Sequence, residues 1–297
     1  MKGVDFFADR LWRQVKKKGA PLVIGLDPRL GHLPEPFASD AKRDPVGAIT
    51  NYHRDFLGVV AERAVAVKPQ VAFFEALGPG GALALADAVE CARGLGLLVI
   101  LDGKRGDIGS TAAAYADAWL GGDGYPPSDA LTVNPYLGED ACLPFLKAAE
   151  KFGAGLFFLV KTSNPGAGLF QDHGSPMLAE VVADQVATWG STLLGDSGWS
   201  SVGAVVGATR PEELAKFRKL MPRAPLLLPG FGFQGGTSEG LGHAFKSDGL
   251  GGLISASRSI LWAHEREDLS SLPSWEAKTA AAIDEMAQQV LSAGLVP

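Results

Sequence analysis

Cysteine is scarce: two residues in 297, Cys91 and Cys142, far apart and outside any C-x-x-C pair. A disulfide framework is thereby excluded, and with it the main staple of small secreted domains; a reducing cytoplasm is expected. The five histidines, His32, His53, His173, His243 and His264, show no zinc spacing, and no Ser/His/Asp order suggests a nucleophilic triad. Positive charge is not in excess: 27 basic against 33 acidic residues give a formal charge of -6. No field attractive to nucleic acid or an acidic membrane surface results, so any phosphate must be captured locally. No apolar run reaches the roughly eighteen residues of a membrane span. The first twenty residues lack the apolar stretch of a secretory signal and carry Asp5 and Asp9, which transit peptides avoid, so no leader is expected. Internal repeats and low-complexity tracts are also absent.

What is present is apolar sequence in short pieces. At 46% apolar and 20% charged, the chain can bury a sizeable core. Eight β-branched, nearly all-apolar runs recur at 21–27, 64–69, 97–102, 130–134, 155–161, 202–207, 225–230 and 251–257. Such runs suit strands buried on both faces of a parallel sheet. Helix-like sequence lies between most of them. In ALALADAVECARGLG, Leu85, Val89 and Ala92 share a face and glycines end the segment; PEELAKFRKL opens with Pro211 and two acids and ends in basic residues. Eight alternations predict a (β/α)₈ barrel formed by one domain over 1–297, although an open doubly wound sheet alternates in the same way. The barrel is favoured because nearly every run ends in a charged or turn-forming residue, which would gather those residues on one face. Phe7, Leu11 and Val15, beside Phe6 and Trp12, recur at helical spacing and predict a capping helix within about 1–20. Stretches 28–50, 163–200 and 231–248 exceed ordinary connections and read as functional lids or disordered inserts.

The densest chemistry lies in LLVILDGKRGDIGSTAAAYADAWL, where an apolar run gives way to four charges in six residues. A solvated loop capping the next helix is one reading. The other follows from barrel geometry: side chains at strand C-termini face the active-site mouth, so Asp102 and Lys104 project toward one ligand.

The pattern D-x-K-x-x-D-I after a buried run resembles the signature of the orotidine monophosphate decarboxylase family. Further segments fall in the family's order: GLDPR with Asp27, VAVKPQ with Lys68, KTSNPGAG, PGFGFQGG and SASRSI. Alone, each admits a plainer reading, such as Lys68 snorkelling at a strand end, Asp27 capping the turn before Pro28, or glycines making a tight bend. Together they span the chain from FFADRL to SRSIL. KTSNPGAG, FQGGTSEG and the long loops are most similar to the larger, bacterial type 2 group. One departure is that Ser255 and Ala256 precede Ser257 and Arg258 where the family often has Asn.

The resemblance implies decarboxylation of orotidine 5'-phosphate to UMP without a cofactor or metal. It implies catalytic roles for Lys104, Asp102, Lys68 and Asp107, with Asp107 lent by the second subunit of a homodimer. It also implies substrate contacts by Asp27, Thr111, Ser163, Asn164, Gln234, Gly235 and Arg258. Two rivals remain: a magnesium-dependent sugar-phosphate lyase of the same barrel superfamily, and a non-catalytic nucleotide-phosphate sensor. The lyases usually carry an acid two positions before the first Asp, where this chain has Ile100, which cannot ligate Mg²⁺. A sensor has no need of lysines interleaved with carboxylates.

Overall fold

In the computed structural model, which describes residues 4–122, 124–207, 211–230 and 238–293, all eight apolar runs form strands. They are β1 (Leu22–Leu26), β2 (Ala66–Pro69), β3 (Leu98–Arg105), β4 (Ala130–Val133), β5 (Gly155–Lys161), β6 (Val202–Val206), β7 (Leu226–Pro229) and β8 (Gly252–Ala256). Every neighbouring pair is parallel, and the sheet closes where Val23 of β1 pairs with Ser255 of β8. Closure decides between the two architectures that periodicity left open: this is a (β/α)₈ barrel.

Burial on both faces explains why the strands read as continuous apolar runs. Val23, Ala66, Leu98, Ile100, Ala130 and Phe157 belong to the cluster filling the barrel, whereas Ile24, Val67, Val99, Leu101 and Leu131 pack outward against the helices. Because alternate residues point to opposite faces, Asp102 continues the inward row of Leu98 and Ile100, Lys68 follows Ala66, and Thr132 follows Ala130.

The predicted capping helix is Phe7–Lys18, with Phe7, Leu11, Trp12 and Val15 buried and Gly19 in the left-handed conformation (φ 75°) ending it. It closes the N-terminal end of the barrel. Phe7 meets Phe157 edge-on at 5.9 Å and occupies the space a Cβ on Gly155 would need, while Arg10 pairs with Asp129 just before β4. The opposite end, at the strand C-termini, is left for chemistry.

Two expectations are refined. Stretch 163–200 is no plain lid: it contains the helix Leu178–Gly190, which buries Ala179, Ala183, Val186 and Trp189. The surrounding Gly, Ser and Pro obscure that spacing in the sequence. β3 runs on through Asp102 and Lys104 to Arg105 instead of stopping at the charges, with a register shift against β4 between Leu101 and Arg105. Among the described residues no helix is long and apolar enough to cross a membrane.

Candidate active site

Asp102 is the hub at the mouth. It is 7% exposed and takes four hydrogen bonds. Oδ2 accepts from Lys68 Nζ at 2.8 Å and Gln70 Nε2 at 3.0 Å, and Oδ1 accepts from Lys104 Nζ at 2.5 Å and Thr132 Oγ1 at 3.0 Å. Burial alone would push this carboxyl up, but the charges of Lys68 and Lys104 and their hydrogen bonds outweigh it and hold it well below the usual carboxylate range. Burial likewise pulls Lys68 down, yet Asp102 and then Asp27 overcome it, and the net shift is upward. Lys68 is therefore a buried, charged ammonium.

The irregularity in β3 places Lys104. Its φ of 46° makes it the one non-glycine residue with positive φ among those described, and its N–H donates to Thr132 Oγ1 at 2.9 Å. Bulges commonly re-aim a side chain beside an active site, and this one turns Lys104 back onto Asp102. The Lys104 side chain is 45% exposed, so its ammonium borders the open mouth.

Asp27, Lys68, Ser163 and Arg258 line one cavity of about 180 Å³, together with Gly230 and Ser255. Asp27 Oδ1 is buried there with no hydrogen-bond partner among the described residues, an acceptor aimed into the space a ligand would fill. Gly25 has no room for a Cβ because Ser257 lies against it, which lets the end of β8 close on β1 and carries Arg258 to the rim. Ser163 packs against Gly207 across the mouth. Its loop is fastened by the Lys161–Asp172 ion pair, by Gln171 Oε1 accepting from Thr162 N at 2.9 Å, and by Thr162 Oγ1 donating to Asn164 Oδ1 at 2.6 Å.

Not every expected residue joins this group. Asn164 is exposed and does not line the cavity. Asp107 accepts from Ile108 N at 2.7 Å and forms no ion pair with either lysine, and Thr111 sits exposed on the first turn of the helix Gly109–Leu120. Gln234 and Gly235 lie outside the described residues. Conversely, Thr132 and Gln70 were missed. Thr132 carried a signal, being the polar residue at inward parity in the run ALTVN; Gln70, two past Lys68, carried none beyond its neighbour.

Ile100 is fully buried inside the barrel, one inward step below Asp102, and its alkyl side chain cannot ligate a cation.

A closed parallel barrel with a lysine–aspartate–lysine array at its strand C-termini defines an enzyme of the acid–base class. A family model for "Orotidine 5'-phosphate decarboxylase / HUMPS family" matches residues 21–269. Orotidine 5'-phosphate decarboxylase of Rhodopirellula baltica is 43% identical over 297 residues, covering 96% of this chain and 98% of its own. The protein of the same name from Deinococcus radiodurans is 48% identical over 258 residues, 86% of this chain and 89% of that one. The solved structure of Leishmania donovani OMP decarboxylase superposes with a TM-score of 0.76 at 29% identity, covering 98% of this chain and all of that one. This chain belongs to the orotidine 5'-phosphate decarboxylase / HUMPS family.

Proposed function

We propose that this protein decarboxylates orotidine 5'-phosphate to UMP, the last step of de novo UMP synthesis. The observation that carries the reading is the Lys68–Asp102–Lys104 array, set beside a cavity whose rim holds Arg258.

When the bond from C6 to the carboxylate breaks, CO₂ departs and the electron pair stays in an in-plane orbital that the ring carbonyls cannot delocalise. Stabilisation must come from nearby positive charge. Lys104 supplies it and donates a proton from Nζ to C6, giving UMP; solvent then returns a proton to the amine. Asp102 orients Lys104, and Lys68 balances Asp102, so each charge already faces an opposite one and little reorganises during reaction. Arg258 meets the 5'-phosphate, together with Gln234 and the backbone of Gly235. Binding energy from that remote group then orients the base. Asp27 accepts from the ribose through its unpartnered Oδ1, and Ser163, on the cavity wall, faces the pyrimidine edge.

Asp107 and Thr111 complete the site of a second copy. Support comes from their position outside their own cavity and from the apolar surface around them. Ile108, Tyr136 and Phe170 are exposed, and Gly106 packs on the Asn134 backbone, so the Asp107 loop adjoins that surface. A homodimer would cover these side chains and carry Asp107 to the partner's lysines. Both cysteines are free, which accords with a cytoplasmic setting.

The test is loss of the orotate chromophore from orotidine 5'-phosphate in excess EDTA. Turnover is expected. No turnover removes the reading; turnover of a sugar phosphate only with Mg²⁺ points to the lyase, and nucleotide binding without chemistry to the sensor.

A further inference from the structure

The hydroxyl of Thr132 stands at the junction of the two groups the reaction depends on. Thr132 is 1% exposed and is the polar side chain of β4. Its Oγ1 accepts the Lys104 N–H at 2.9 Å and lies 3.0 Å from Asp102 Oδ1 and 3.5 Å from the Leu101 carbonyl. A hydroxyl has one proton, and the shorter, charge-assisted bond to the Asp102 carboxylate is the better use of it. One atom thus holds the backbone of Lys104 from one side and the carboxylate of Asp102 from the other.

Among the described residues neither group has another holder of that kind. The Lys104 side chain is 45% exposed and too little packed to be located by its surroundings, and its backbone sits at φ 46°, which a lysine does not adopt without support. Asp102 Oδ2 is fixed by Lys68 and Gln70, but among the described residues Oδ1 has only Thr132 and the half-exposed ammonium it must orient. Resting on the decarboxylase reading above, we propose that Thr132 is a positioning residue for the reaction. It pins the bulged backbone of Lys104 and the rotamer of Asp102, so that the ammonium is in place before substrate arrives.

Thr132→Val keeps the shape and removes the hydroxyl, and Thr132→Ser keeps the hydroxyl and removes a methyl. Wild-type turnover of orotidine 5'-phosphate is measured first, because its absence overturns the decarboxylase reading itself. Given turnover, Thr132→Val is expected to lose roughly 10- to 100-fold in kcat, the scale of a lost preorganising hydrogen bond. Its Kd for UMP, measured by calorimetry, should stay within about threefold, since a transition-state effect leaves ground-state binding alone. Thr132→Ser should recover kcat to within about threefold of wild type. A Val variant with wild-type kcat overturns the proposal, as does a Ser variant as slow as Val, which would assign the effect to packing. A parallel loss of UMP affinity and kcat also counts against it. If Val lowers the melting temperature enough to compromise folding, Thr132→Ala makes the same deletion without crowding the barrel and is judged by the same kcat and Kd criteria.

Discussion

Replacing Asp102 by Asn changes little in shape but exchanges one acceptor for a donor at the point where four donors converge on two oxygens. The new amide nitrogen must face either Lys68 and Gln70 or Lys104 and Thr132. The Thr132 hydroxyl can reverse and accept; neither ammonium can. The amide nitrogen therefore turns toward Thr132, Lys104 swings out into water, and the remaining oxygen stays with Lys68. Removing one member of a buried pair typically costs about 3–5 kcal/mol. Here Asp27 still attracts Lys68 and the amide oxygen still accepts, so a loss of about 2–3 kcal/mol is expected. That corresponds to a fall of roughly 4–10 °C in melting temperature. With Lys104 displaced, kcat should drop by at least about a thousandfold.

The pH dependence of that loss follows from the signs of the shifts. Asp102 is depressed below its ordinary 3.8, so its contribution is fully present above 3.8 and fades as pH falls through the folded value. Lys68 is raised above its ordinary 10.5, so its contribution is fully present below 10.5 and fades as pH rises through the folded value. The stabilisation that the pair gives wild type should thus be flat from about pH 5 to 9. Calorimetric melts at pH 5, 7 and 9, with steady-state kinetics at pH 7, test this. A variant melting within about 1 °C of wild type, or keeping a tenth of its kcat, would refute the hub assignment.

Three further outcomes are expected. His53 is buried with both ring nitrogens unpartnered among the described residues, and burial lowers its pKa to about 4 against the weaker upward pull of Asp87. Its folded pKa lies below the unfolded 6.5, so stability is present above 6.5 and lost as pH falls toward 4, by up to about 3 kcal/mol. His53→Leu should flatten that part of the urea-melt profile, and an unchanged slope would clear His53. Arg218, lowered by burial to about 10, donates to the carbonyls of Met221, Ala224, Ala244 and Gly251. Arg218→Met strands them and should cost about 3–5 kcal/mol in a denaturant melt while leaving kcat of the folded enzyme intact; a loss under about 1 kcal/mol would contradict this. Mixing inactive Asp107→Ala with inactive Lys104→Ala should restore activity through hybrid sites, and no rescue in a demonstrated heterodimer would rule out a shared site.

The strands were legible because burial on both faces writes itself as uninterrupted apolar runs, and the inward row Leu98–Ile100–Asp102 put the charges at the mouth. Periodicity alone did not encode barrel closure, since Val23 meeting Ser255 is a contact of distant segments; the barrel was favoured by the charged and turn-forming residues that end nearly every run. In the sequence β3 reads as ending at Asp102 because charged residues in a strand look like loop; they are tolerated there because Asp102 pairs with Lys68 and Lys104 and accepts from Thr132. The Lys68–Asp102–Lys104 group emerged from order along the chain. Thr132 was hidden because threonine in a strand reads first as a β-former. Asp107 forms no ion pair with the lysines of its own chain, so its place beside them is legible only through the family resemblance.

On the decarboxylase reading, Lys104 protonates C6. Lys104→Ala, assayed with orotidine 5'-phosphate and titrated separately with UMP, tests it most directly. The expected result is loss of decarboxylation with UMP binding still measurable; near-normal turnover would remove Lys104 from the mechanism.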